Sequence, residues 1–347
     1  MAHGLLTIDC GAVVRNWRRL CDMHRGGAVS AVVKANAYGL GAVPIATALR
    51  DAGCRHFFVA TVEEGEALRD ALGEGPMIAV LDGFRARQHP RLTSVLNSLD
   101  EIRAHSGAVI LHVDSGMSRL GLPLSELEAL ADEPTLLDGI ETLYVMTHLA
   151  AAEEAEHPLN ATQIERFNEA CLRLPRARRS IANSSGIFLG PRFASDLARP
   201  GAALYGINPT PGQPNPMEPV LRLEGQVLQL RDIPPGQTVG YGGSWLATRP
   251  SRIATMGLGY ADGLPRRLEG RLTGDFREQK LPLVGRVSMD LMTFDATDTQ
   301  RIRPGRWLEL IGPNTRDVDG MAELCGTIGY EVLTALGSRF RREYIPA

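Results

Sequence analysis

Cysteine is scarce in this chain and shows no pattern. Cys10, Cys21, Cys54, Cys171 and Cys325 are five in 347 residues, scattered and without a CxxC pair. Such spacing argues against a disulfide framework or a zinc site, and no metal is expected; a reducing compartment fits. Charge of one sign is also lacking. The chain has 37 basic and 40 acidic residues, a net charge of -3, so no basic field invites a nucleic acid. No apolar run is long enough to span a membrane. Residues 1–15 lack the basic start and apolar core of a signal peptide, which makes the cytoplasm the expected location. Neither an internal repeat nor a low-complexity tract occurs. What remains is ordinary globular composition, 44% hydrophobic and 22% charged, in a chain long enough for two domains.

Two patterns divide the chain. Up to about residue 200, short apolar runs alternate with amphipathic stretches. The runs fall at 31–33, 57–60, 77–81, around 95, 109–113, 143–146, 180–182 and 197–198. Helical periodicity lies between them, as at 42–50, 62–70, 125–131 and 163–172. Eight strand–helix units of this kind predict parallel strands with crossover helices, and the number suits a (β/α)8 TIM-like barrel. An open doubly wound sheet is the competing arrangement. The barrel is favoured because Lys34, Arg119, His148, Asn183 and Arg199 each follow a different run, and a barrel gathers such strand ends on one face. A Pro/Gly-rich stretch, 209–219, reads as a linker. Beyond it, strand-like segments at 220–230, 253–258, 283–289 and 307–311 dominate, with one helical pattern over 317–336. The expected domains are a barrel over 1–218 and a mostly β domain over 219–347.

Lys34 sits directly after a β-branched run. Burial there would depress its pKa and suit a Schiff-base nucleophile. Equally, a lysine at a barrel rim can extend its head to water. Taken alone, Arg199 reads most simply as a surface ion-pair residue, and Asn183 as a turn residue.

The segment Val33-Lys34-Ala35-Asn36-Ala37-Tyr38-Gly39 resembles the cofactor-lysine motif of alanine racemases, enzymes that use pyridoxal 5'-phosphate (PLP). Further matches follow in order: 113–121, Thr147-His148, Asn183-Ser184, Arg199-Pro200-Gly201, Gly240-Tyr241-Gly242, 259–263, 285–290 and 330–333. The resemblance implies a homodimer with active sites shared between subunits. It implies PLP-dependent racemisation of L- and D-alanine, for peptidoglycan supply or D-alanine catabolism. Lys34 would bind PLP and act as base on the D side; Tyr241 of the opposite subunit would serve the L side. A phenol with a pKa of about 10 is a weak base at neutral pH, so its site must favour the phenolate. His148 would bond to that tyrosine. Arg199 would face the pyridine nitrogen and, always protonated, keep that nitrogen unprotonated.

The same resemblance places Tyr38, Ser184, Gly201, Ala202 and Tyr330 around the phosphate, with Asn183 as a helper. Arg119 would contact the cofactor's phenolic oxygen and the substrate carboxylate, and the Met289 main chain would bind that carboxylate. Tyr260, Arg266 and Arg286 would line the entrance. One position departs from the family. Seven residues before Arg119, many relatives carry a lysine that can be carbamylated and then anchors the arginine; here the residue is His112, which forms no stable carbamate.

Other assignments compete. A broader-specificity amino-acid racemase would share all these features. A basic amino-acid decarboxylase would need an acid where Arg199 stands. A PLP-binding carrier protein resembles the barrel alone and would leave residues 220 onward without a purpose. A barrel hydrolase without PLP would need a metal or carboxylate cluster that the sequence does not offer.

Overall fold

A computed structural model describes residues 2–83 and 89–347. They form two units: Gly11–Glu218, and Met1–Cys10 together with Pro219–Ala347. The first ten residues therefore depart from the expected barrel boundary at 1. Gly4–Asp9 is a strand of the second unit, antiparallel to Leu221–Ile233 and parallel to Arg341–Ile345. Its alternate residues Leu6 and Ile8 are fully buried, which ties it to that sheet.

In the first unit every expected apolar run holds a strand. Seven parallel neighbours follow chain order: Ala31–Val32, His56–Val59, Met77–Val80, Thr93–Leu96, Gly107–His112, Ile140–Met146 and Arg178–Ser180. The eighth strand, Leu197–Ala198, pairs in parallel with Ala28–Val29. The Arg199 N–H donates to Ala182 O at 2.8 Å, so this strand bridges the seventh and the first and closes the ring. The strands are short, and their C-terminal residues are buried on both faces, which explains the continuous rather than alternating apolar runs. Val109, Leu111, Val145, Ile164 and Phe167 belong to one core in which strands and outer helices pack.

Helix ends follow local chemistry. Thr61 caps Val62–Leu72 by accepting from the Glu64 N–H, and Ser98 caps Leu99–Arg103 in the same way. The helix expected from 163 begins earlier, at Pro158, because proline suits the first helical turn.

The second unit is sheet-rich. Its eight-stranded sheet centres on Leu221–Ile233, which also pairs with Ser251–Met256 after a register irregularity at Val227/Gln229. Two expectations change here. The segment 283–289 is irregular; the strands flanking it are Gln279–Pro282 and Met292–Asp295, joined through a turn in which the Ser288 N–H donates to Leu291 O. The helical stretch 317–336 is two helices, Val318–Cys325 and Gly329–Ala335, divided at Gly326, whose φ of 64° ends the first.

Candidate functional site

The C-terminal ends of the barrel strands carry most of the residues singled out from sequence. Lys34 follows the first strand, where the Val33 N–H is fixed to Phe58 O at 2.9 Å. The chain then turns in an unusual way. Ala35, Asn36, Ala37 and Tyr38 are all left-handed, with φ of 52°, 53°, 53° and 56°. For residues bearing a Cβ this costs about 1–2 kcal/mol each, so surrounding contacts must hold the turn. One is the Glu64 carboxylate, which accepts from the Ala35 N–H at 2.7 Å.

The turn delivers Tyr38 to the Gly201 backbone. A Cβ at residue 201 would lie 2.2 Å from the Tyr38 hydroxyl oxygen, so only glycine permits the approach. Ser184 Oγ accepts from the Gly201 and Ala203 N–H groups at 3.0 and 3.2 Å. Tyr38, Ser184, Gly201 and Ala202 therefore converge, as a phosphate cradle requires. Burial pushes the Tyr38 hydroxyl up to about 12, keeping it a neutral donor. Asn183 braces the adjoining turn: its side chain donates to Leu149 O and accepts from the Gly186 N–H.

Arg199 is only 4% exposed. Its guanidinium donates to Ser180 Oγ at 2.6 Å and Thr147 O at 2.5 Å, both neutral acceptors. Among the described residues it has no carboxylate partner, and desolvation brings its pKa down to about 10. A buried guanidinium without a counter-charge is costly, and its remaining donors suit an acceptor supplied by a ligand.

The surrounding field is positive. Lys34 is lowered by burial and then by Arg119, while Glu64 raises it. His148 falls to about 3 through burial, then Arg199, Arg119, His112 and Lys34. His112 also falls to about 3, through burial first and then Arg199. Three cations and two neutral histidines thus share one strand-end cluster, fitted to an anion carrying phosphate and phenolate groups. These features fit PLP: a cradle for phosphate, a buried cation for the ring, and an amine of lowered pKa.

His112 is held by Asn97. Asn97 donates its amide to Leu81 O and Val95 O, so its Oδ1 is the acceptor facing His112 Nδ1 at 2.8 Å. His112 Nδ1 is therefore protonated and Nε2 bare. Among the described residues no carboxylate pairs with Arg119 in place of the carbamate. Arg119 is exposed, and its side chain forms no hydrogen bond or ion pair among the described residues. Its loop is fixed instead by Asp114 Oδ1, which accepts from the Gly116, Met117 and Ser118 N–H groups.

The remaining candidates lie in the sheet-rich unit. Tyr241 stands on a turn flanked by Gly240 and Gly242 and is 71% exposed. With Arg286, Ser288 and Leu291 it lines a cavity of about 570 Å³. Tyr260 and Met289 are neighbours: the Tyr260 and Ala261 N–H groups donate to Ser288 O and Met289 O, each at 3.0 Å. Arg286 lies 3.7 Å from Glu269, Arg266 is exposed, and Tyr330 begins the helix Gly329–Ala335 half-buried.

Sequence reasoning missed Glu64 and Asn97. Thr61-Val62-Glu63-Glu64 carries the signature of a helix N-terminus, but that signature predicts a cap and not a reach to residue 35. Nothing local marks Asn97.

A closed (β/α)8 barrel with a lysine and an unpaired buried arginine at its strand ends, continued by a β-rich unit, defines a barrel-plus-sheet class of cofactor enzyme. Residues 8–209 match the family model for the alanine racemase N-terminal domain, and residues 220–344 the model for its C-terminal domain. The chain belongs to the alanine racemase family.

An alanine racemase of Acidiphilium cryptum is 53% identical, over 99% of each chain. A catabolic alanine racemase of Mesorhizobium japonicum is 49% identical, over 99% of this chain and 94% of that one. A crystal structure of alanine racemase from Bartonella henselae with covalently bound pyridoxal phosphate superposes with a TM-score of 0.93 at 43% identity, covering 99% of this chain and 100% of that one. Among the described residues no helix is long and apolar enough to cross a membrane.

Proposed function

We propose that this chain interconverts L- and D-alanine with PLP held on Lys34, acting as a homodimer. The observation that carries the proposal is the strand-end cluster in which Lys34 keeps company with Arg119, Arg199 and two neutral histidines. PLP withdraws electrons from the substrate α-carbon and so acidifies the proton there.

The chain's own groups would do the rest. Tyr38, Ser184 and the Gly201–Ala202 backbone hold the phosphate, with Tyr330 as a further donor. Arg199 would hold the pyridine nitrogen and, remaining protonated, would limit how strongly the ring draws electrons, which would restrain side reactions. Arg119 and the Met289 N–H bind the alanine carboxylate, and Tyr260, Arg266 and Arg286 line its approach.

Inversion needs a proton removed on one face and returned on the other. Lys34 Nζ would work on the D side and Tyr241 Oη of a second copy on the L side, with His148 bonded to that phenol. The wide exposure of the Tyr241 ring supports its service to another subunit, since a ring so exposed gains burial in an assembly.

The test combines spectroscopy and turnover. Purified protein with PLP should show the visible absorbance band of a lysine-bound cofactor, and Lys34→Ala should abolish it. Tyr241→Phe should keep the band and lose L-to-D turnover. Wild-type racemisation by Tyr241→Phe would overturn the two-base assignment, and a band retained in Lys34→Ala would overturn the anchor.

A further inference from the structure

The left-handed turn after Lys34 needs a clamp, and one side chain supplies it. We propose that Glu64 is a positioning residue for Lys34: one carboxylate oxygen fixes the Ala35 N–H, the other fixes the Ala60 N–H, and the pair aims the lysine amine. The inference rests on the reading of Lys34 as the cofactor anchor.

The distances are 2.7 Å from Ala35 N to Glu64 Oε1 and 2.8 Å from Ala60 N to Glu64 Oε2. Ala35 is the residue after Lys34, and Ala60 follows the neighbouring strand His56–Val59. One carboxylate thus ties the first strand's exit to the second's. Four consecutive left-handed residues begin at the clamped amide. Backbone bonds brace the body of the turn, with the Ala37 N–H on Val33 O and the Gly39 N–H on Ala35 O at 2.8 Å each; at its first amide the acceptor is the Glu64 side chain.

Helix capping does not account for this geometry. Glu64 stands at the third position of Val62–Leu72, where a capping-box glutamate would accept from the Thr61 N–H. Its oxygens go instead to Ala60 and Ala35. The Thr61 side chain caps the helix by accepting from the Glu64 N–H, a bond made by main chain that any residue at 64 would retain.

Two donors in separate segments need two acceptor oxygens. Glutamine offers one, and aspartate offers two on a stem one methylene shorter. Charge is a second contribution. Glu64 is the acid that raises the Lys34 amine against burial and Arg119.

The two variants therefore separate geometry from charge. In cofactor-free protein, Glu64→Gln should speed hydrogen exchange of the Ala35 or Ala60 amide at least about threefold relative to the Phe58 amide, the loss of one net hydrogen bond. It should also move the pH midpoint for acylation of Lys34 to lower pH, because the amine loses its neighbouring anion. Glu64→Asp should speed the exchange but leave that midpoint in place. In the PLP-loaded protein both variants should release cofactor on dialysis faster than wild type. Thr61→Ala, which removes only the helix cap, should change none of these.

Wild-type exchange and an unmoved midpoint in Glu64→Gln would overturn the proposal, as would equal effects from Thr61→Ala. Referencing exchange to Phe58 keeps the result readable if Glu64→Gln also lowers global stability. The exchange and acylation measurements need no PLP, so they stand apart from the Lys34→Ala test of the cofactor anchor.

Discussion

His112 Nδ1 donates to Asn97 Oδ1 across 2.8 Å, at the ends of two adjacent barrel strands. Asn97 can only accept there, because its amide nitrogen is bonded to Leu81 O and Val95 O. Asn97→Leu would leave a buried ring N–H without a partner. Such a loss costs about 1–3 kcal/mol. Urea denaturation should report a destabilisation in that range. A second consequence concerns the positive cluster, since His112 lies in the field of Arg199 and Arg119 and the freed ring can adopt the other tautomer. The variant should raise KM for alanine more than it lowers kcat.

Stability should fall on the acid side. The folded chain keeps His112 and His148 neutral, with pKa values pushed from the ordinary 6.5 to about 3. Between those values the unfolded chain binds protons that the folded chain refuses. Stability therefore rises with pH across the window and is lost as pH falls from 6.5 toward 3. Thermal unfolding of cofactor-free protein from pH 4 to pH 7 checks this. His112→Gln, a neutral residue that offers an amide in place of the Nδ1 donor, should flatten the slope; an unchanged slope would mean that His112 is not one of the groups responsible.

Gly201→Ala tests the phosphate cradle. The new Cβ would meet the Tyr38 hydroxyl at 2.2 Å and its Cζ at 3.0 Å. Tyr38 is 7% exposed and packs 4.7 Å from the Tyr205 ring, so it has little room to retreat. Overpacking of this kind costs about 1–3 kcal/mol. The expected result is a lowered Tm together with faster loss of PLP on dialysis than in an equally destabilised variant elsewhere in the barrel.

The strands were legible in the sequence, and the reason is geometric. A parallel barrel strand is buried on both faces where it enters the core, so 77–80 and 109–111 read as unbroken apolar runs. Residues just past such runs fall on one end of the barrel, and that alone gathers Lys34, His148 and Arg199. The family resemblance added roles that periodicity could not supply.

Illegible features share another cause, which is distance along the chain. Gly4–Asp9 falls inside the expected barrel domain, and only its partners at 221–225 and 341–345 assign it to the sheet. The left-handed run at 35–38 contradicts the local preference of four non-glycine residues, and its first amide is held by Glu64 from the next unit of the barrel. That Arg199 meets only neutral acceptors among the described residues is likewise a property of what surrounds it.

Gly259 offers a test in the sheet-rich unit. It lets the turn Tyr260–Asp262 lie against the backbone of Ser288 and Met289, where a Cβ would come within 2.3 Å of Ser288 O and 2.4 Å of Met289 O. These are backbone oxygens, so no side chain can swing aside. Gly259→Ala should force the two segments apart and break the Tyr260 N–H bond to Ser288 O. On the roles proposed for Tyr260 at the entrance and Met289 at the substrate carboxylate, the change should raise KM for both alanine enantiomers. Lys34 lies in the barrel unit, so its absorbance band should persist. A variant with unchanged KM would remove Met289 and Tyr260 from the path of the substrate.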